Sequence, residues 1–367
     1  MAEGESTLES MGVSPVANSG FWRGKRVLVT GHTGFKGSWL TLWLARMGAQ
    51  VTGVALKAES QSLFVAADIK ALCQDITLDI RDLNAVKNAV RQAEPDIVFH
   101  LAAQALVRES YRQPVDTSST NIVGTVNVLE ALRGCPSVKS VLCITTDKVY
   151  HNREWPWPYR ESDALGGHDI YSASKAACEL MVSAYRSSFF AEKGISLVTA
   201  RAGNVIGGGD WSADRLIPDA IRAWSHGDTV DIRRPDAVRP WQHVLDCLNG
   251  YLIYAEHLSH RQDCPQSLNF GPDAAGMATV REVISIASGI FDGARCRFHE
   301  QPEGPHEAGL LMLDPSLARQ SLGVHNHWRL EQTLNRTMLW YKRYYAGESA
   351  RALCEADIAE LEAAWRP

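Results

Sequence analysis

RVLVTGHTGFKG, at residues 26–37, places an apolar strand directly before three glycines that are spaced three residues apart. Gly31 suits the tight turn after the strand, Gly34 lets backbone amides approach a diphosphate, and Gly37 lets the next helix pack closely. Amides at the N-terminus of such a helix bind phosphate groups. The pattern predicts a dinucleotide-binding loop, with a ligand-free glycine turn as the alternative. Its candidate residues are Gly31, Thr33, Gly34, Phe35, Lys36 and Gly37.

Apolar strands alternate with amphipathic helices over residues 25–145. The predicted strands are Arg26–Thr30, Gln50–Ala55, 97–101 and 140–145, with a later one at 194–200. The predicted helices are 37–47, 83–92, 121–132 and 172–190. This alternation is typical of a doubly wound parallel sheet. We therefore predict an α/β, Rossmann-like fold with a smaller α/β substrate-binding lobe.

The composition changes after Arg201, where glycine, proline, tryptophan and arginine become more frequent and the alternation ends. We expect a disordered extension over residues 1–20, a cofactor-binding domain that carries the catalytic residues over 21–202, and the smaller lobe over 203–367. Some elements are expected to interleave between the two domains. Residues 330–346 are predicted to form a closing helix.

Bulk properties narrow the class of protein. The 367 residues carry a formal net charge of −5, so no basic excess indicates a nucleic-acid partner. No segment has the roughly 20 apolar residues that a membrane helix needs, and the first residues lack a signal-peptide pattern. The eight cysteines are scattered without a CxxC pair, which predicts neither a metal site nor a disulfide framework. We expect a cytoplasmic protein.

Other predicted cofactor contacts lie at or after the ends of strands. These candidates are Asp79, Ile80, Leu101, Ala102, Ala103, Gln104, Asn121, Thr145, Tyr171 and Lys175. A carboxylate normally follows the second strand, where it binds the adenosine ribose and disfavours a 2′-phosphate. Here Lys57 lies near that position. We therefore predict NAD and leave NADP open.

Tyr171 and Lys175 are four residues apart and share one face of a predicted helix. A nearby ammonium and the positive nicotinamide ring lower a phenol's pKa from about 10. Tyr171 is then able to take a proton from a sugar hydroxyl while NAD takes the hydride. Thr146, after the preceding strand, completes a catalytic set of tyrosine, lysine and threonine, because its hydroxyl is able to hydrogen-bond to the same sugar hydroxyl. By itself a tyrosine–lysine pair of this spacing is also common by chance on surface helices.

Asp147 and Lys148 follow Thr146 at the same strand end. Loss of water needs an additional acid and base, which a simple dehydrogenase or epimerase does not. The adjacent charges stabilise each other, which opposes acid and base roles, whereas burial favours those roles. We expect Asp147 to be the acid. Lys148 is either the base or an electrostatic stabiliser of enolisation.

The chain resembles the extended short-chain dehydrogenase/reductase superfamily, and within it the CDP-D-glucose 4,6-dehydratases, over almost its whole length. The segments that carry the resemblance are GHTGFKGSWL (31–40), VFHLAAQALVRESY (98–111), TTDKVYHNREW (145–155), YSASK (171–175), RAGNVIGGGDW (201–211), DRLIPD (214–219), RPWQHV (239–244) and PHEA (305–308). Related dTDP-glucose dehydratases have glutamate at the position of Lys148. Lysine there is typical of the CDP-glucose branch.

The resemblance implies a lyase that converts CDP-D-glucose to CDP-4-dehydro-6-deoxy-D-glucose with NAD. The implied steps are oxidation at C4, elimination of water across C5–C6 and return of the hydride to C6. It also implies a role in making 3,6-dideoxyhexoses for O-antigen. A homodimer or homotetramer is implied, with helices 121–132 and 172–190 at the interface. Alternatively, the apolar faces of these helices serve only the core.

Substrate contacts are expected from the second lobe. The resemblance gives Asn204 as a sugar-nucleotide contact. Arg215 and Arg239 suit the diphosphate, because a guanidinium donates in pairs to phosphate oxygens. Arg233 or Arg234 is expected nearby. Trp211 is either a stacking surface or a buried core residue, and for His243 and His306 a structural role is preferred.

Two other functions stay open at this point. The first is another nucleotide-sugar enzyme on the same scaffold, either a 4,6-dehydratase for a different nucleotide or a 4-epimerase. The second is a non-catalytic protein that senses dinucleotides. The Asp147–Lys148 pair argues against an epimerase, and a sensor has no need of five catalytic residues.

Overall fold

The computed structural model describes residues 16–260, 263–273, 276–300 and 309–364. Its strands are β1 (Arg26–Thr30), β2 (Gln50–Ala55), β3 (Gln74–Thr77), β4 (Ile97–His100), β5 (Ser140–Ile144), β6 (Ser196–Ala202), β7 (Asn204–Ile206), β8 (Thr229–Ile232), β9 (Val238–His243), β10 (Ser267–Phe270), β11 (Met277–Thr279) and β12 (Arg295–Phe298).

The helices are α1 (Ser19–Trp22), α2 (Phe35–Arg46), α3 (Leu63–Ala66), α4 (Leu83–Ala93), α5 (Val107–Arg112), α6 (Pro114–Ser118), α7 (Gly124–Arg133), α8 (Ile170–Tyr185), α9 (Leu216–Ser225), α10 (Val244–Leu258), α11 (Val280–Ile290), α12 (Ser316–Leu322), α13 (Leu330–Tyr345) and α14 (Ala350–Ala364). Short 3₁₀ turns occur at Ile69–Leu72, Asp147–Val149 and Ala191–Lys193, and π-helical turns at Ser119–Val123 and Arg186–Phe190.

Seven strands form one parallel sheet in the order β10-β6-β5-β4-β1-β2-β3. Strands β4 and β5 are buried along their whole length, as expected for a sheet that is covered on both faces. One face packs against α2 and α10, and the other against α4 and α7. The predicted doubly wound α/β fold is therefore confirmed.

Local signals placed the predicted strands and helices within two or three residues of most of their observed bounds. Strands β1 and β2 have the predicted bounds. Helix α2 begins two residues earlier than predicted, because Gly34 is its N-cap with an extended backbone. Strand β6 begins after Gly194, whose φ of 65° ends the preceding turn. Each of the predicted helices 121–132 and 172–190 contains a π-helical turn that the sequence did not indicate.

The second half of the chain forms two small sheets, with strand orders β11-β9-β7 and β12-β8. It also returns to the large sheet, since β10 pairs with β6 and α10 packs on β5. The division of domains at residue 203 stays a prediction. The closing helix expected at 330–346 is α13, and α14 follows it.

The described part of the N-terminus is anchored to α10. The amide of Ala17 donates to Asn249 Oδ1 at 3.0 Å, and that of Asn18 donates to Glu256 Oε1 at 2.8 Å. The prediction of disorder up to residue 20 is therefore wrong for residues 16–20. Residues 1–15 lie outside the described part.

Two features concern the chain as a whole. None of the eight cysteines is in a disulfide. In the ranges that the structure describes, no helix combines the length and the apolar character needed to cross a bilayer.

Candidate active site

A cavity of about 760 Å³ opens at the carboxyl ends of β1, β4 and β5. The strand order reverses between β1 and β4, and ligands of doubly wound folds bind at such a point. Loops from the second half of the chain close the other side. The cavity therefore lies between the large sheet and the small ones.

The glycine-rich loop after β1 brings backbone segments so close together that side chains would not fit at two of its glycines. A Cβ atom on Gly31, which has a φ of 78°, would lie 2.7 Å from the amide nitrogen of Ala102. A Cβ atom on Gly37 would lie 2.1 Å from the Gly31 carbonyl oxygen. No side chain caps the first turn of α2, so its amides are free to receive a diphosphate. The loop fits the dinucleotide that its spacing predicts, and all six of its candidate residues line the cavity.

The remaining cofactor candidates divide into two groups. Those that line the cavity are Asp79, Ile80, Leu101, Ala102, Ala103, Gln104, Thr145, Tyr171 and Lys175. Asn121 does not line it. Its buried amide donates to the carbonyl oxygen of Gln104 and to Ser174 Oγ, so Asn121 fixes the loop and α8 from behind. A direct cofactor contact by Asn121 stays a prediction.

Lys57 is exposed and does not line the cavity. Leu56 occupies the wall there, and its carbonyl oxygen accepts a hydrogen bond from Thr33 Oγ1 at 3.2 Å. Lys57 therefore gives no reason to expect a 2′-phosphate.

Tyr171 lies in the first turn of α8, which Asp169 caps by accepting from the amide of Ser172. Lys175 lies one turn further, and its Nζ donates to the carbonyl oxygen of Ile144 at 3.2 Å. Burial raises the pKa of Tyr171 to about 12, although the Thr146 hydroxyl and Arg215 lower it. In the protein without its cofactor the pKa of this phenol is therefore raised, and a lowered pKa in the presence of the positive nicotinamide ring stays a prediction. Desolvation of the phenolate outweighs the nearby charge.

Asp147 is buried in the 3₁₀ turn after β5. Its Oδ1 accepts hydrogen bonds from Thr146 Oγ1 at 2.9 Å and from Lys148 Nζ at 3.0 Å. Its Oδ2 is buried and has no hydrogen-bond partner among the described residues. Thr146 and Lys148 line the cavity, whereas Asp147 lies directly beneath the wall. A Cβ atom on Gly203, which lines the wall, would be 3.3 Å from that free oxygen.

A buried ion pair supports the catalytic helix from behind. Glu179 lies on the same face of α8 as Tyr171 and Lys175, at successive intervals of four residues. Arg201 on β6 donates to both Glu179 oxygens, at 3.0 and 2.8 Å. The hydroxyl of Thr145 donates to the same carboxylate. Sequence reasoning missed Glu179, which the continued four-residue spacing indicated.

The four substrate-side candidates, Asn204, Arg215, Arg233 and Arg239, all line the cavity, as does Arg234. Arg215 Nη1 lies 3.6 Å from Asp210 Oδ2. Arg239 is buried and its Nη1 donates to two backbone carbonyl oxygens, at 2.8 and 3.3 Å. The wall opposite the glycine-rich loop is therefore rich in arginine.

Trp211 and His243 lie outside the cavity. Trp211 is buried with its ring 5.4 Å from that of Tyr344, which confirms the core alternative. His243 is also buried, and its Nδ1 accepts from the amide of Leu245. This confirms the preferred structural role. His306 lies outside the described residues.

Several charged residues at the cavity were not singled out from the sequence, and two of them form an ion pair. Arg108 and Asp214 both line it, and Arg108 Nη1 lies 3.5 Å from Asp214 Oδ1. Asp214 has a φ of 59°, which is unusual for a residue with a side chain. Both residues belong to the family-like segments 98–111 and 214–219, which was the available signal. Within the described ranges, no group of three or more His, Cys, Asp or Glu is arranged to hold a metal ion.

The chain is similar to known proteins over most of its length. A family model, "NAD dependent epimerase/dehydratase family", matches residues 27–271. CDP-glucose 4,6-dehydratase of Salmonella typhimurium is 44% identical over 94% of this chain and 98% of its own length. UDP-glucose 4-epimerase of Mycoplasma pneumoniae is 25% identical over 87% of this chain and 97% of its own length.

Solved structures share the fold. UDP-glucose 4-epimerase of Thermus thermophilus, in complex with NAD, has a TM-score of 0.74 at 24% identity and covers 86% of this chain and 98% of that one. For dTDP-glucose 4,6-dehydratase of Bacillus anthracis, also with NAD, the TM-score is 0.72 at 19% identity, covering 88% and 97% of the two chains. The chain belongs to the NAD-dependent epimerase/dehydratase family.

Proposed function

We propose that this protein removes water from CDP-D-glucose and forms CDP-4-dehydro-6-deoxy-D-glucose. The observation that carries the proposal is the Asp147–Lys148 pair beside Tyr171 at the end of β5, because elimination requires an acid and a base in addition to the hydride-transfer set. The identity of 44% to a protein named CDP-glucose 4,6-dehydratase supports the choice of nucleotide.

The first step uses Tyr171, Thr146 and Lys175. Tyr171 takes the proton of the C4 hydroxyl, and the hydroxyl of Thr146 orients the phenol through their hydrogen bond. Lys175 adds positive charge next to the phenolate that forms in this step. When bound, NAD supplies an acceptor for the hydride that leaves C4 and later returns to C6. The first-turn amides of α2 and the glycine-rich loop hold its diphosphate.

The second step uses Asp147 and Lys148. Lys148 lines the cavity and assists removal of the C5 proton in one of two ways. A neutral Lys148 amine accepts that proton while a protonated Asp147 serves as the acid. Alternatively, the Lys148 ammonium stabilises the enolate while the Asp147 carboxylate takes the C5 proton and passes it to the C6 oxygen. Asp147 supplies the proton with which the C6 hydroxyl leaves as water. Its Oδ2, which has no hydrogen-bond partner among the described residues, adjoins Gly203, and Gly203 lines the cavity.

The substrate-side residues are proposed to bind the diphosphate, the base and the sugar of the sugar nucleotide. Arg215 and Arg239 are proposed to bind the diphosphate, with Arg233 near the base and Asn204 near the sugar. Their guanidinium groups suit phosphate oxygens. The preference for cytosine rests on the relative alone.

The test is incubation of the purified protein with NAD and CDP-, dTDP-, UDP- or GDP-glucose. We expect the CDP-sugar to lose one water by mass spectrometry without net NADH formation. Interconversion of C4 epimers without loss of water would identify an epimerase. Tight NAD binding without turnover of any sugar nucleotide would identify a sensor instead.

One variant tests whether Lys148 acts in the elimination and not in the hydride transfer. Lys148→Ala is expected to form no dehydrated product while still exchanging deuterium at C4 with labelled cofactor, because its loss affects only the elimination. Full dehydratase activity in this variant would refute the role of Lys148.

We also propose a homodimer formed by the helices that follow residue 120 and residue 170. Val123 is 49% exposed and Leu180 is 61% exposed, so apolar side chains remain uncovered on these two helices. Light scattering of the wild type and of Leu180→Lys tests this, with a monomer expected for the variant. The unpaired thiols suit a reducing compartment, so we propose a cytoplasmic location.

A further inference from the structure

Glu179 lies one turn beyond Lys175 on α8, and four donors from within the protein occupy its carboxylate. The residue is 5% exposed and does not line the cavity. Its Oε1 accepts hydrogen bonds from Thr145 Oγ1 at 2.5 Å and from Arg201 Nε at 3.0 Å. Its Oε2 accepts from Thr199 Oγ1 at 2.7 Å and from Arg201 Nη2 at 2.8 Å. Both oxygens are therefore held in a fixed direction.

Three consecutive residues at the end of β5, residues 144–146, each contact one residue of α8; these three are called the strand end. The pairs, with the residue of the strand end first, are Ile144 with Lys175, Thr145 with Glu179, and Thr146 with Tyr171. The three helical residues are spaced by four, so they share one face of α8. Together the contacts fix the position of the helix along the strand.

Two of these three contacts involve groups that take part in the reaction. In the proposed reaction, Tyr171 takes a proton from the sugar hydroxyl and Lys175 places its charge beside the phenolate. A group that gains or loses a proton changes its role as a donor, so these two contacts change during turnover. The donors to Glu179 are all buried side chains that exchange no proton with the substrate. Of the three contacts, the one made by Glu179 therefore persists.

We infer that Glu179 is a positioning residue, which holds the strand end in register with α8 while the catalytic residues of that helix act. Arg201 and Thr199, both on β6, orient the carboxylate, and Thr145 transmits this orientation to the strand end. Apolar residues of the same shape often stabilise a fold as well as a buried ion pair does, whereas charge-assisted hydrogen bonds also fix geometry. The effect on proton transfer rests on the proposed function, but the register does not.

Two other roles have to be separated from this one. In the first, which is purely structural, the ion pair with Arg201 holds α8 on β6 and has no effect on the strand end. The second is electrostatic, because Glu179 interacts with the charge of Lys175. The hydroxyls of Thr145 and Thr199 distinguish the three roles. Both donate to the same carboxylate, and of the two only Thr145 belongs to the strand end.

The experiment compares Thr145→Val with its matched control, Thr199→Val. Each variant removes one hydroxyl from the carboxylate of Glu179 and keeps the side-chain shape, the ion pair and the negative charge. We expect Thr145→Val to lower kcat about tenfold at saturating NAD, since misplacing a reacting group by about 1 Å lowers a rate about 10²-fold. The KM of the sugar nucleotide and the dissociation constant of NAD should not change. Thr199→Val should keep the wild-type kcat, and thermal unfolding checks that both variants fold.

Backbone hydrogen exchange gives a second readout that needs no turnover. The amides of Thr145, Lys148 and Val149 are hydrogen-bonded, so their exchange with deuterium reports local opening of this segment. We expect faster exchange over residues 145–149 in Thr145→Val and not in Thr199→Val, with exchange in β4 unchanged as the reference.

Every other outcome overturns the inference. A loss of kcat in both variants, or in neither, would mean that the carboxylate serves only the fold or the charge of Lys175. A raised dissociation constant of NAD, with kcat unchanged at saturating NAD, would make Thr145 a direct cofactor ligand instead. Unchanged exchange over residues 145–149 would also overturn it, whatever reaction the protein catalyses. A wild type that does not convert CDP-glucose would refute the proposed function alone, because the exchange measurement still decides the register.

Discussion

Asp246 on α10 makes the stability of the protein depend on pH in a direction opposite to that of most carboxylates. It is buried, and its two oxygens accept from the amides of His327 at 2.7 Å and Trp328 at 3.3 Å. Burial raises its pKa from the ordinary 3.8 to about 7, although the two amides lower it. The folded state therefore keeps a proton that the unfolded state releases from about pH 4 upward. The free energy of unfolding falls as the pH rises towards 7.

The magnitude follows from this pKa. The charged carboxylate of Asp246 is disfavoured by about 4 kcal/mol in its site relative to water. Asp246→Asn removes that charge but places an amide group where one of the two oxygens accepted a hydrogen bond, which costs about 1–2 kcal/mol. We expect the variant to be about 2–3 kcal/mol more stable than the wild type at pH 8. At pH 4 it is about 1 kcal/mol less stable, because the wild-type carboxyl is then neutral in the folded state and still largely neutral in the unfolded state.

The assay is urea unfolding at pH 4, 5, 6, 7 and 8, with the stability curves of wild type and variant expected to cross at about pH 5. Glu256 also has a pKa that burial raises to about 7, so a part of the wild-type slope remains in the variant. Glu192→Gln, at an exposed position, is the matched control and should leave the pH dependence unchanged. A variant less stable than the wild type by the same amount at every pH would refute the reasoning.

Three further predictions concern the site. Tyr171→Phe should lower kcat about 10²–10⁴-fold without weakening NAD binding, and a rate near that of the wild type in steady-state assays would exclude its role as base. Gly37→Ala should destabilise the fold by about 3 kcal/mol because its methyl group meets backbone. Gly34→Ala, whose nearest contact is 3.4 Å, should unfold in urea like the wild type. Glu179→Gln should lower the free energy of unfolding, measured with denaturant, by about 3–5 kcal/mol, because Arg201 is left buried with its charge uncompensated. A smaller loss would mean that water reaches the ion pair.

The elements around the cofactor were predictable because their signals are local. A buried strand, a glycine at a turn and an amphipathic helix each depend on a few neighbouring residues. Strands β1 and β2 therefore had their final bounds from the sequence. The same holds for the glycine-rich loop, where Gly31 and Gly37 have no room for a side chain.

Side-chain direction was less predictable, because it depends on contacts between distant segments. Asn121 follows the expected helix but turns towards Gln104 and Ser174. Asp147 lies under the cavity wall because Thr146 and Lys148 hold its carboxylate there. The pairing of Glu179 with Arg201 joins a helix to a strand that is 22 residues away, which no local spacing specifies.

The return of β10 to the large sheet limits how this protein can be divided. A fragment that stops at residue 202 would leave β6 with an open row of amide and carbonyl groups along the side that β10 now covers. Exposed strand edges of this kind pair with other chains and aggregate. The large sheet thus contains strands from both halves of the chain. Any shortened version intended for expression must therefore retain the strand at 267–270.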